Sequence, residues 1–256
     1  MTGSLAVVGL GPGDASWMTL EARGALERAT DLVGYGPYLD RVPVRAEQRR
    51  HASDNRAELD RARLALTMTA EGRHVAVVSG GDPGIFAMAA AIFEAVDAGA
   101  ACWRSLDITV IPGISAMQAA AARLGAPLGH DFCAISLSDN LKPWEAIARR
   151  LRAAADGDFV IALYNPASRA RPERIHQAFD LLRERLPTAT PVAFARAVAR
   201  PDERIVLTTL GDAHPSIADM STLVLIGSSE TRFIERPGGS PWLLTPRTHG
   251  RGEVRA

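Results

Sequence analysis

The chain has 256 residues, 47% of them apolar, which suffices for one large domain or two compact α/β domains. Acidic and basic residues balance at 29 each, so charge gives no ground for a nucleic-acid or membrane-surface partner. The two cysteines, Cys102 and Cys133, form no CxxC pair and have no histidine pair at metal-ligand spacing beside them. That argues against a structural zinc or iron–sulfur site and leaves two buried thiols in a reducing compartment as the expectation. No run approaches the ~18 apolar residues of a membrane span, and no charged-then-apolar leader precedes the first strand. A soluble, cytoplasmic protein without a bound metal is expected.

Residues 5–8, Leu-Ala-Val-Val, read as a short buried strand broken by Gly9-Leu10-Gly11-Pro12-Gly13. A helix follows from near Thr19, a good N-cap, with Glu21 in its first turn; Leu20, Ala22, Leu26 and Ala29 supply its apolar face. Residues 31–33 are a second strand, ended by Gly34-Tyr35-Gly36-Pro37. Residues 55–72 read as a helix in which Asn55 and Glu58 have capping-box spacing and Leu59, Ala62 and Leu66 share a face. Strand 75–78 stops at Ser79-Gly80-Gly81-Asp82-Pro83 and is followed by helix 85–96; strand 108–111 stops at Pro112-Gly113 and is followed by helix 115–123. The connector Gly125-Ala126-Pro127-Leu128-Gly129 suggests a domain boundary, giving domains 1–124 and 125–256. The pattern then restarts: strand 132–137, helix 143–155 with Pro143 in its first turn, strand 159–164, helix 172–185, and strands 192–195, 204–208 and 222–226. Phe132 and Trp144 read as core residues. From about residue 237 a Pro-, Gly- and Arg-rich composition predicts a loose tail. Strands alternating with helices predict two consecutive α/β domains with largely parallel sheets.

Three Gly/Pro breaks follow strands in the first half, at residues 9–13, 80–83 and 112–115. In parallel α/β sheets ligands bind beyond the carboxyl ends of the strands, and glycine lets backbone approach a ligand closely. The first break has G-x-G-x-G spacing with Pro12 inside, not the dinucleotide G-x-G-x-x-G, and no Walker lysine follows it. An NAD enzyme or a P-loop NTPase is therefore disfavoured.

The segments Val8-Gly9-Leu10-Gly11-Pro12-Gly13-Asp14, Ser79-Gly80-Gly81-Asp82-Pro83-Gly84 and Ile111-Pro112-Gly113-Ile114-Ser115-Ala116 resemble the tetrapyrrole methylase family. Ala52-Ser53-Asp54-Asn55-Arg56, Leu137-Ser138-Asp139-Asn140-Leu141-Lys142-Pro143-Trp144, Leu163-Tyr164-Asn165-Pro166 and Gly227-Ser228-Ser229-Glu230-Thr231 resemble its branch that acts on precorrin-3B at C-17. The resemblance spans roughly residues 3–235. It implies two α/β domains with a ligand cleft between them, usually in a homodimer, and S-adenosyl-L-methionine as a methyl donor folded into that cleft. By motif match the donor contacts fall on Pro12, Gly81, Asp82, Ile85, Phe86, Ser115 and Ala116, with Tyr164 and Ala195 from the second domain. The implied reaction is methylation of precorrin-3B at C-17 with ring contraction to precorrin-4, in cobalamin biosynthesis.

Contraction requires a proton to leave a hydroxyl and another to be delivered elsewhere, so general acid–base groups must lie within reach. The loop residues Asp14, His51 and Asp139 are the catalytic candidates; His130 is better explained by a structural hydrogen bond. Lys142, Arg169, Arg171 and Arg196 are candidates for the substrate's carboxylates, which arginine binds in forked geometry. Arg45, Arg49, Arg50 and His51 either line the cleft or form an exposed basic strip. The alternatives are another precorrin or uroporphyrinogen C-methyltransferase of the same family, and a non-enzymatic S-adenosylmethionine-binding module.

Overall fold

The computed structural model describes residues 3–54, 57–168 and 171–248. They form two compact units, Met1–Ala116 and Met117–Ala256, so the division falls at the start of a helix rather than at the glycine-rich connector that follows it.

The first unit runs β1 (Ser4–Gly9), α1 (Leu20–Arg28), β2 (Asp31–Tyr35), α2 (Gly36–Leu39), β3 (Arg49–Ser53), α3 (Glu58–Ala70), β4 (His74–Ser79), α4 (Met88–Ala98) and β5 (Asp107–Ile111). Its sheet has the order β3-β2-β4-β1-β5, and every pairing is parallel. The strands are apolar on both faces because helices cover both. Leu5, Val7, Val33, Val75 and Val77 pack with Ala62, Leu66, Met88 and Ile92 of α3 and α4. Val8, Leu32, Ala76 and Val78 turn the other way, onto Ala22, Ala25 and Leu26 of α1. Thr19 caps α1 as expected, its Oγ1 accepting from the Ala22 N–H at 3.1 Å.

Three local expectations change here. Leu20 is 85% exposed, because two residues along a helix is about 200° round from Ala22, whereas Ala22, Ala25, Leu26 and Ala29 share one stripe. Leu59 is 41% exposed, lying in the first turn at the margin of the face set by Ala62, Ala65 and Leu66. The N-cap of α3 is Ala57, with no side-chain cap bond; Asn55, the expected cap, lies outside the described residues. Strand β3 was not anticipated: its sequence Arg-Arg-His-Ala-Ser lacks apolar alternation, as suits an edge strand with one flank unpaired.

The second unit runs α5 (Ala116–Leu124), β6 (Gly125–Ala126), β7 (Phe132–Ser136), α6 (Trp144–Asp156), β8 (Val160–Tyr164), α7 (Arg174–Arg183), β9 (Pro191–Arg196), β10 (Arg204–Thr209), β11 (Thr222–Ile226), β12 (Arg232–Ile234) and β13 (Trp242–Leu244). Helices α6 and α7 pack Ile147, Leu151, Ile175, Phe179 and Leu182 on one face of a sheet of order β10-β9-β11-β8-β7. The α/β class stands, but strand direction in this unit departs from the expected largely parallel sheet. Within this five-stranded sheet only β7 and β8 run parallel; β10–β9, β9–β11 and β11–β8 are antiparallel. Parallel neighbours need a long crossover, usually a helix, and after β9 the connections hold none beyond a single short 3₁₀ turn.

The expected loose tail also needs correction. β13 pairs antiparallel with β12 and parallel with β6, and Leu243 and Thr245 are buried. Thr245 Oγ1 donates to the Pro127 carbonyl at 2.6 Å and bonds Thr231 Oγ1 at 2.8 Å. The three apolar residues Trp242-Leu243-Leu244 fix this stretch within a composition that otherwise reads as coil. Phe132 is 45% exposed at the start of β7, whereas Trp144 packs against the core. Cys102 is exposed rather than buried; Cys133 is half-buried, and burial pushes its thiol up to about 11. Among the described residues no helix is long and apolar enough to cross a membrane.

Candidate active site

The carboxyl ends of β1, β4 and β5 meet on one rim of the first sheet, and their loops are joined backbone to backbone. Gly11 and Gly81 exchange hydrogen bonds of 3.1 and 2.9 Å, each with positive φ, 70° and 68°. A Cβ on Gly113 would lie 2.3 Å from the Gly81 carbonyl oxygen, and one on Gly9 2.7 Å from the Gly113 nitrogen. No side chain fits between these strands' ends, so glycine here is demanded by contact. Asp82 completes the junction. Its Oδ1 accepts from the Gly84 N–H at 2.8 Å and its Oδ2 from the Gly113 N–H at 3.0 Å, tying the β4 loop to the β5 loop.

The expected donor residues of the first unit gather on this rim. Pro12 and Ser115 are buried, Ile85 is half-buried and Phe86 is exposed. Phe86 holds a φ of 53°, unusual for an aromatic residue and a sign of a constrained loop. Space remains beside Gly81: an added Cβ would meet nothing closer than Ser115 Cα at 3.8 Å and Ala116 N at 3.9 Å. In the second unit Tyr164 ends β8, its hydroxyl accepting from the Met117 N–H at 3.1 Å, and Ala195 is buried in β9, paired with Ile205 and Leu223.

The expected acid–base and substrate residues are placed very differently. Asp14 caps a 3₁₀ turn, Oδ1 accepting from both the backbone and the hydroxyl of Ser16; those bonds hold its carboxyl below the usual range. His51 pairs with Asp31 at 2.9 Å. Asp31 begins β2, at the opposite end of the parallel sheet from the glycine loops. Burial alone would raise the Asp31 carboxyl, but bonds from His51 and Thr30 and the charge of Arg73 hold it low. Asp139 sits between Arg171, at 3.2 Å, and Arg174, at 2.6 Å. Partial burial pushes its carboxyl up, and the bonds from Arg174 and Arg171 outweigh this and keep it low. Arg196 is bound by Asp202 at 2.6 Å and Asp219 at 2.8 Å. Lys142 is half-buried; burial, then repulsion from Arg150, lowers its ammonium. Arg169 lies outside the described residues. Of the basic strip, Arg50 is spent on the carbonyls of Leu39, Val42 and Pro43, and Arg45 pairs with Glu27.

Several residues that shape the rim were not singled out from the sequence. Arg41 Nη2 donates to the carbonyls of Leu10, Gly11 and Gly13 at 3.1, 2.8 and 2.6 Å, bracing the β1 loop. The Tyr38 ring seats on Gly80, where a Cβ would lie 2.8 Å from it. The only sequence hint was that both follow a Gly-x-Gly-Pro break. Among the described residues, no group of three or more His, Cys, Asp and Glu side chains is gathered as a metal site.

The profile of the Tetrapyrrole (Corrin/Porphyrin) Methylases matches residues 4–214. The chain is a member of that family. A Precorrin-3B C(17)-methyltransferase of a Sinorhizobium species is 60% identical over 247 residues, 96% of this chain and 97% of that protein. The Cobalamin biosynthesis protein CobIJ of Mycobacterium tuberculosis is 50% identical over 237 residues, 91% of this chain and 46% of that protein; this chain therefore spans about half of its length. The crystal structure of the methyltransferase CobJ matches with a TM-score of 0.91 at 51% identity, covering 95% of this chain and all of that one. The glycine rim and the two α/β units are thus those of a tetrapyrrole methylase.

Proposed function

We propose that this protein transfers a methyl group from S-adenosyl-L-methionine to C-17 of precorrin-3B, with contraction of the macrocycle to precorrin-4, in cobalamin biosynthesis. The observation that carries the reading is the 60% identity to the Sinorhizobium Precorrin-3B C(17)-methyltransferase along nearly the whole of both chains.

The chemistry of the rim fits such a donor. S-adenosylmethionine brings a methyl already activated on a sulfonium, so the protein's task is chiefly to orient it. A seat of backbone groups beside Gly81, bounded by Ser115 and Ala116, orients without adding charge. Pro12, Gly81, Asp82, Ile85, Phe86, Ser115 and Ala116 are assigned to donor binding, with Tyr164 and Ala195 as contributors from the second unit. Lys142 is assigned to a substrate carboxylate. Arg171 and Arg196 serve that purpose only by exchanging their present carboxylate partners for the substrate's. The reading is completed by a cytoplasmic homodimer acting on a small molecule, without nucleic acid, membrane or metal.

The test is mass spectrometry of precorrin-3B incubated with the purified protein and S-adenosylmethionine carrying an isotopically labelled methyl group. One label added, together with the spectral change of contraction, is expected. Donor binding without label transfer would overturn the assignment.

A further inference from the structure

Next to the donor loops, on the same rim, the carboxyl ends of β2 and β3 enclose a shallow cavity of about 390 Å³, lined by Tyr35, Pro37, Ser53 and Asp54. It joins the β4 loop through the aromatic pair Tyr35–Tyr38, whose rings meet edge to face at 5.4 Å, because Tyr38 is the ring seated on Gly80.

The backbone at Ser53 and Asp54 is held by Arg61, an arginine of α3 only 4% exposed. Its Nε donates to Ser53 Oγ at 2.9 Å, its Nη2 to the Asp54 carbonyl at 2.7 Å and its Nη1 to Met88 Sδ at 3.2 Å. Among the described residues no carboxylate forms an ion pair with it. Its hydrogen-bond acceptors are all neutral, burial disfavours its charge and the nearby Glu58 carboxylate offsets part of that cost; what the side chain secures is the backbone at Ser53 and Asp54 against the start of α4. The Asp54 carboxylate itself has no side-chain partner among the described residues.

The catalytic candidates read from the sequence, and Asp82, already have partners. Asp14 caps Ser16, Asp82 spends both oxygens on Gly84 and Gly113, Asp139 is clamped by Arg171 and Arg174, and His51 pairs with Asp31 at the far end of the sheet. We propose that Asp54 is the general base of ring contraction, accepting the proton of the macrocycle's hydroxyl, and that Arg61 is its positioning residue. The inference rests on the reaction proposed above. Methyl transfer gives the macrocycle the equivalent of a methyl cation, leaving an electron-poor ring carbon. The hydroxyl O–H bond then breaks, its proton going to an Asp54 oxygen and its electron pair forming a C=O bond. A ring C–C bond migrates with its pair to the electron-poor carbon. The macrocycle thus gains a methyl cation equivalent and loses one proton, with no outside oxidant or reductant and without the second proton delivery expected from the sequence.

The test is Asp54→Asn, which keeps shape but cannot accept the proton, assayed with labelled donor and precorrin-3B. The expected result is donor affinity within about twofold of the unchanged protein, one label still added, and contraction slowed about 100-fold or more, so that methylated, uncontracted macrocycle accumulates. Asp54→Glu restores part of the contraction rate. Arg61→Lys, which keeps the charge and loses the fork, slows contraction more than methylation. Contraction at the normal rate in Asp54→Asn overturns the proposal, and so does loss of methyl transfer in step with contraction. An unchanged protein that binds donor but adds no label overturns the reaction itself, and is told apart because it fails before any variant is made.

Discussion

Removing the Asp82 carboxylate isolates the contribution of loop geometry to donor binding. Its two oxygens hold the Gly84 and Gly113 N–H groups at 2.8 and 3.0 Å. In Asp82→Ala the exposed Gly84 N–H turns to water at a cost of about 0.5 kcal/mol, whereas the half-buried Gly113 N–H, wedged between Gly9 and Gly81, loses a charged acceptor at about 1–3 kcal/mol. About 2 kcal/mol is thus withdrawn from the arrangement that binds donor. Since 1.4 kcal/mol is tenfold in affinity, the dissociation constant for S-adenosylhomocysteine, measured by titration calorimetry, should rise at least about tenfold. Asp82→Asn keeps one acceptor oxygen and should fall between. A dissociation constant within twofold of the unchanged protein in Asp82→Ala would refute the claim that this carboxylate sets the donor loop.

Gly81→Ala separates backbone strain from steric blockage. At a φ of 68° with open space around it, the methyl costs about 1–2 kcal/mol of stability, while donor affinity falls more if the donor fills that space; denaturant melts and calorimetry together decide. Asp139→Asn tests the double arginine clamp. The folded carboxyl is held below its ordinary value, so its stabilisation is present above about pH 4 and is lost as pH falls through the folded value. The stability gap between the two proteins in urea melts should therefore be largest near neutrality and close in acid. Thr245→Val removes a hydroxyl that serves Pro127 and Thr231, and should cost about 1–3 kcal/mol with little change in donor affinity. Asp31→Asn breaks the buried pair with His51 and should lower stability by about 2 kcal/mol while leaving methyl transfer measurable by label incorporation.

Strand positions in the first unit were legible because the sheet is buried on both faces. Runs such as Val75-Ala76-Val77-Val78 stand out between glycine breaks, and the direction of every strand follows from the helix after it. The edge strand β3 was hidden by its polar sequence, and β13 by the proline and glycine around Trp242-Leu243-Leu244. Helix faces were misjudged where a terminal leucine, Leu20 or Leu59, was counted into a stripe that a later alanine sets. At the site, glycine spacing exposed the loops but not what braces them. Arg41 and Arg61 act through single long side chains that reach carbonyls 7 to 31 positions away in the chain, and no local pattern records such a reach. Charged residues also invite assignment to chemistry by type alone. Only the geometry reveals that Asp14 is engaged by Ser16, Asp139 by Arg171 and Arg174, and Arg196 by Asp202 and Asp219.

The way the rim is built constrains where its chemistry can come from. Gly9 and Gly113 bring the loops so close that no side chain fits at either position, and Asp82 is consumed in holding them beside the open space at Gly81. Such a seat can hold and aim a donor through backbone groups, but it has no titratable group of its own to offer. Proton transfer must then be supplied by an adjacent segment fixed to the same framework. The Gly80–Tyr38 contact and the Arg61 fork make the β2 and β3 ends such a segment. Rigid attachment matters here because an acid–base group contributes only when it lies within hydrogen-bond reach of the moving proton, and the buried guanidinium, bonded to the Ser53 hydroxyl and the Asp54 carbonyl, fixes the backbone that carries the Asp54 carboxylate.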